Sequence, residues 1–289
     1  MRSLVQYPRC RLSAWTPRTS SVPATFVSSG ACRAPRRWLS TLTWPSWSTC
    51  CSFTTTLSVA LDAGIVVLPN RWNDPTAHTY ARQHNALGRS GARALGGSAA
   101  TAGQIRLSPL SIRVNERPAR LVLPSPNGST IAHELGAQVT VCLGACLRNA
   151  AALAARICAQ HSPGAATIAV IAAGEQWPDG GLRPAVEDLW GAGAVIAGLA
   201  DAGRTALPPE AELAEAGYQT VRGRERQALL SWASGRELVD QGYRADVEVA
   251  AEAGLSDAIP LLSGGRFVTA AGSLMVGRGR SSRVGGGWC

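Results

Sequence analysis

The run ATIAVIAAG, Ala166–Gly174, constrains this chain more than any other stretch. It is nearly all apolar, of strand length, and lies between RNAAALAARICAQ (Arg148–Gln160) and RPAVEDLWGAGAVIAGLA (Arg183–Ala200), both with helical patterning. A strand without polar alternation is one buried on both faces. Helices on either side in sequence supply those covers, so the expected class is α/β: three layers, α/β/α, around a largely parallel or mixed sheet.

Further elements follow. Thr54-Thr55-Thr56 precede apolar Leu57, Val59, Ala60 and Leu61, and Gly64 follows, which predicts a hydroxyl-capped helix. IVVLP (Ile65–Pro69), ARLVLP (Ala119–Pro124) and QVTVCLG (Gln138–Gly144) read as strands, and LSPLSI (Leu107–Ile112) as extended chain. SPNGST turns into a helix near Ser129–Leu135. Helix continues through 207–233, two short helices flank Gly242, and Ala258–Val268 forms a hairpin-like pair. The glycines of GAGAVIAG lie inside a helical pattern and not between strand and helix, so they indicate close helix packing and not a dinucleotide fingerprint.

The formal charge of +9 is carried by the ends. Residues 1–51 hold seven Arg and no acid, and 272–289 three Arg and no acid, which leaves about −1 for the body. A basic nucleic-acid surface is therefore not expected. Cys142, Cys146 and Cys158 lack CxxC spacing, which excludes a disulfide framework or a zinc site, and no phosphohistidine or cysteine nucleophile stands out. No run reaches the length of a membrane span and no signal peptide precedes the body, so a cytoplasmic location is expected. The sequence leaves oligomeric state open, a homo-oligomer included.

Three places concentrate chemistry. SFTTT (Ser52–Thr56) and LPSPNGST (Leu123–Thr130) each put hydroxyls and free N–H groups at a helix start, where anions bind. AGEQWPDGGLRPAVED (Ala173–Asp188) gathers Glu175, Asp179, Arg183, Glu187 and Asp188 beyond a strand end, where open α/β sheets bind ligands.

These segments, with RLSPLSI, CLGACLRNAAALA and SGRELVDQGYRADVEVAAE, resemble the 2-phosphosulfolactate phosphatase family over Ser52 to about Val268. The resemblance implies a Mg²⁺-dependent phosphatase of coenzyme M biosynthesis, cleaving the phosphate monoester of a small sulfonated hydroxy acid. In that reading Thr54, Thr55, Thr56, Asn127, Gly128 and Ser129 bind phosphate. Arg148 and Arg183 meet anionic groups of the substrate. Glu175, Glu187 and Asp188 act on metal or water, with Glu187 and Asp188 as the metal ligands. The alternative is a relative that binds an anionic metabolite without catalysis.

The chain departs from the family before Ser52, where a hydrophobic strand ending in Asp is expected. STLTWPSWSTCC stands there instead (Ser40–Cys51). One choice of codons that spells this segment, read with one base added in front, gives VDLDVAVVVDVL. Residues 1–51 are accordingly expected to be out of frame, aberrant and without regular structure, with the absent Asp straddling the codons of Ser48 and Thr49. Residues 52–271 are expected to form the α/β domain, as one body or two subdomains, and 272–289 a disordered tail. A chain so altered is expected to fold poorly or to be inactive.

Overall fold

The computed structural model describes residues 24–28, 44–48, 52–71, 76–88, 105, 107–125, 127–136, 139, 141–162, 168–177 and 182–270. For 24–28, 44–48, His78, Gln176 and Leu182 the backbone alone is described. The expected tail lies outside these residues, as does Asp179.

Among the described residues nine strands form one sheet: β1 (Ala24–Ser28), β2 (Trp44–Ser48), β3 (Val66–Arg71), β4 (Leu87–Gly88), β5 (Arg120–Ser125), β6 (Leu143–Ala145), β7 (Ile168–Ala172), and the pair β10 (Pro260–Ser263) and β11 (Arg266–Thr269). Two further short strands, β8 (Glu175–Gln176) and β9 (Leu182–Arg183), make a separate antiparallel ribbon. The sheet order is β1-β7-β2-β6-β10-β11-β3-β5-β4. β1, β7, β2 and β6 run parallel, as do β3, β5 and β4. The β10–β11 hairpin joins the two blocks through antiparallel pairing on both sides, so the sheet is mixed.

The helices are α1 (Phe53–Asp62), α2 (Ala77–Gln83), α3 (Pro109–Val114), α4 (Gly128–Gly136), α5 (Ala150–Gln160), α6 (Val186–Asp201), α7 (Pro209–Gln219), α8 (Glu225–Ser231), α9 (Ala233–Asp240) and α10 (Arg244–Ala250). β7 shows why the layers are three. Ile168, Val170 and Ala172 point into a core shared with α5, α6 and α7, whereas Ile171 joins a second core with Phe53, Leu57 and Ile131 of α1 and α4. Period-two alternation thus sends apolar side chains to both faces, and each face carries helices. This is the α/β class that the apolar run predicts.

Gly193, in the GAG of α6, has no room for a side chain: an added Cβ would lie 2.1 Å from the Ala214 carbonyl oxygen of α7. The glycines therefore serve close helix contact. Two sequence expectations change. Pro109–Val114 is helical and not extended, because Ser108 caps it by accepting the Ser111 N–H and Pro109 occupies the first turn. Of the described residues in the strand expected over Gln138–Gly144, only Leu143 and Gly144 are strand, which runs on to Ala145.

The expectation of no regular structure before Ser52 also fails, at ten residues. β2 lies between β7 and β6, with Trp44 opposite Ile168 and Ser48 opposite both Ala172 and Ala145, and β1 flanks β7. The reason lies in the sheet: a gap between two parallel strands exposes two ladders of N–H and C=O groups, which any extended backbone satisfies. Pro45, opposite Ala169, brings no N–H to that ladder and sits poorly in a central strand.

Candidate active site

Three helix starts meet at the end of β7. α1 begins five residues after β2 ends, and its first residue, Phe53, is fully buried. Gly128, first residue of α4, packs directly on it; a Cβ there would stand 2.5 Å from the Phe53 ring. Just before it, Asn127 Nδ2 donates to the Gly174 carbonyl at 2.8 Å. The Gly174 N–H in turn donates to Asp188 Oδ2 at 2.8 Å, in the first turn of α6. Gly174 has φ +69°, a left-handed backbone that glycine adopts without strain, and this turns the chain as it leaves β7. Its peptide groups are thereby tied to α4 on one side and α6 on the other. β7 and β5 have five strands between them in the sheet, so the sheet curls to bring these ends together.

Helix starts carry unpaired N–H groups and the positive end of the dipole. Three of them stand around one glycine here, a rim of the kind that can receive an anion. The donors are backbone groups more than hydroxyls. Thr54, Thr55 and Thr56 are all buried, and the Thr56 hydroxyl donates to the Ser52 carbonyl at 2.7 Å. Ser129 is buried too, and its hydroxyl donates to the Leu123 carbonyl at 2.8 Å. The Gly128 N–H donates to Ser125 Oγ at 3.1 Å. Of the six residues expected to bind phosphate, Asn127, Gly128 and the start of α1 come together at Gly174, while the hydroxyls of Thr56 and Ser129 donate to the Ser52 and Leu123 carbonyls.

Arg148 is not at this rim. Its guanidinium, 3 % exposed, donates to Ser58 Oγ at 3.0 Å and Asp62 Oδ2 at 2.8 Å, and pairs with Glu252. Asp62 ends α1, about 13 Å along the helix axis from Phe53. Arg148 ties the end of α1 to the segment after α10.

Arg183 stands nearer. It lies 3.0 Å from Glu175 Oε2, forks onto Glu237 at 2.6 and 3.0 Å, and its guanidinium carbon sits 5.1 Å from the centre of the half-exposed Trp177 ring. Glu187 is 3 % exposed. Burial pushes its carboxyl above the usual glutamate range, against hydrogen bonds from its own backbone N–H and from Ser234 and the nearby charge of Arg183; the charge of Glu175 adds to the upward push. Its Oε2 is buried without a hydrogen-bond partner.

The carboxylates do not converge. Glu187 and Asp188 are successive helix residues, roughly 100° apart around the axis; one sits under Ser234 and the other on Gly174. Among the described residues no group of three or more His, Cys, Asp or Glu side chains is arranged to hold a metal ion. Sequence reading missed Gly174, Ser234 and Glu237; the i, i+3 spacing of the last two within SGREL was the available signal.

Among the described residues no helix is long and apolar enough to cross a membrane. No curated protein matches the chain. A family model, that of 2-phosphosulpholactate phosphatase, matches residues 53–265, from the first residue of α1 to the β10–β11 turn, well over half of the chain. The chain therefore belongs to the 2-phosphosulpholactate phosphatase family.

Proposed function

We propose that this fold hydrolyses the phosphate monoester of a small sulfonated hydroxy acid, 2-phosphosulfolactate, to sulfolactate and phosphate. The observation that carries the reading is the meeting of α1, α4 and α6 at Gly174, locked by Asn127 and Asp188. The phosphoryl group lies on the N–H groups at these helix starts, which neutralise its charge as it grows in the transition state. Water attacks phosphorus in line, the bond to the ester oxygen breaks, and one proton of the attacking water ends on the leaving alkoxide, so that the products are the hydroxy acid and hydrogen phosphate. Fixing Gly174 from both sides keeps the donors in place through that change.

A magnesium requirement is part of the proposal, with Glu187 and Asp188 as the carboxylates that would hold the ion together with the phosphate of the substrate. Pro45 inside a central strand, and Ser48 and Thr49 where the family resemblance calls for Asp, favour a second reading for the chain as written: it binds the anionic metabolite and turns it over poorly or not at all. The test is phosphate release from 2-phosphosulfolactate, with added Mg²⁺ and with EDTA. Turnover that EDTA abolishes supports the proposal; binding without turnover supports the second reading; neither binding nor turnover refutes both.

A further inference from the structure

The SGREL segment, Ser234–Leu238, supports the rim from one helix face. Ser234 and Glu237 lie three residues apart on α9 and so share a side. The Ser234 hydroxyl holds the buried Glu187 carboxyl, and Glu237 takes Arg183 in a two-pronged grip. Gly235 stands between them, and an added Cβ would fall 1.7 Å from the Leu229 carbonyl oxygen of α8. That contact fixes α9 against α8, so the platform has little play.

The grip on Arg183 is geometric more than energetic. Glu237 is half-exposed, and exposed ion pairs contribute little to stability. A forked pair nevertheless sets the plane of a guanidinium. Trp177 lies against one face, and Glu175 stands 3.0 Å from Nη1, the nitrogen that also donates to Glu237. Glu237 and Glu175 do not use all five N–H donors of an arginine.

We infer that Glu237 is a positioning residue for ligand recognition: its carboxylate orients Arg183 so that the remaining donors meet an anionic group of the ligand beyond β7. The inference rests on the anionic-ligand reading proposed above. Glu237 touches no ligand itself. It acts through Arg183, and the selectivity it confers is for a ligand with a second anionic group beside the phosphate.

The test uses calorimetric titration of the full chain with 2-phosphosulfolactate, and with inorganic phosphate as a one-group control. Glu237→Ala is expected to weaken 2-phosphosulfolactate binding about tenfold, the size of one lost charge-assisted contact, with phosphate binding little changed. Arg183→Ala is expected to do the same, and the double variant no worse than Arg183→Ala alone. Glu237→Gln, which keeps one acceptor oxygen, is expected to recover part of the loss. Unchanged affinity in Glu237→Ala, multiplying losses in the double variant, or equal loss for both ligands would overturn the inference. Absence of binding by the unaltered chain contradicts the anionic-ligand reading itself. The inference falls with it.

Discussion

Asn127 and Gly174 are joined by one hydrogen bond of 2.8 Å, across two strand ends that five other strands separate in the sheet. With Asp188 holding the same glycine through its N–H, this bond decides where the starts of α4 and α6 stand relative to each other.

Replacing Asn127 by Ala removes the bridge and leaves the Gly174 carbonyl without that donor. The stability loss is expected to be about 1 kcal/mol. The loss in kcat/KM for phosphate release is expected to be larger, tenfold or more, because donor placement is what the bond controls. Melting and kinetics measured on the same preparation separate the two effects.

Gly128→Ala drives a methyl group into the Phe53 ring. Phe53 is fully buried and packs edge-on against Phe267 at 6.1 Å, so it has little freedom to yield. Destabilisation of about 1–3 kcal/mol is expected from overpacking. Phe53→Leu in the same chain is expected to relieve part of it, which denaturant melts of the four variants measure.

Arg148→Ala leaves Asp62 and Glu252 without their shared cation. Breaking a buried pair costs about 3–5 kcal/mol, and these partners are a quarter to a third exposed, so the expected loss lies at the lower end. Ligand affinity of the folded fraction is expected to stay unchanged, since Arg148 sits at the far end of α1. A loss of affinity at constant fold would return Arg148 to the substrate.

Two glutamates tilt stability in opposite directions with pH. The hydrogen bond from Arg113, with the charges of Arg113 and Arg148, holds Glu252 below its ordinary 4.5, so its contribution is present above that value and lost as pH falls through the folded value. Burial raises Glu187 above 4.5; the folded protein holds that proton more tightly, and stability falls as pH rises from about that value to the folded one. Glu187→Gln is therefore expected to gain in melting temperature over the unaltered chain as pH rises through this window, and Glu252→Gln to lose its deficit as pH falls below it. Parallel profiles for all three proteins contradict both assignments.

Much of this arrangement was legible in the sequence. ATIAVIAAG read as a doubly covered strand because no polar residue interrupts it, and GAGAVIAG as packing because it lies mid-helix. The helix starts at Phe53 and Gly128 were marked by hydroxyls and Asn-Gly. What local pattern does not carry is which partner a polar group finds. Thr56 and Ser129 look free in sequence yet donate to the carbonyls of Ser52 and Leu123, and Arg148 looks like an anion receptor until α1 and the segment after α10 close around it. LSPLSI was misread because the help for its helix comes from afar: Asp246, 136 residues on from Leu110, accepts the Leu110 N–H at 2.9 Å and the Ser108 hydroxyl at 2.8 Å. Strand β2 was missed because WPSWS has no strand pattern, and its place is set by the neighbours β7 and β6.

Those neighbours bear on the reading frame. The shifted reading puts Val, Ala, Val, Val and Val at positions 44–48, the five residues of β2, and removes the proline that β7 faces at Ala169. Sequencing the gene across the codons for residues 35–56 is expected to show the one-base difference. A sequence that stands as written makes the strand a genuine feature of this chain.

The most direct measurement is phosphate release from 2-phosphosulfolactate by two full-length proteins side by side: the chain as written, and the chain with VDLDVAVVVDVL in place of residues 40–51. The account predicts turnover by the second, with cooperative unfolding, and little or none by the first. A second protein that unfolds cooperatively yet releases no phosphate would contradict the proposed function. Equal turnover by both would contradict the account of the segment before Ser52.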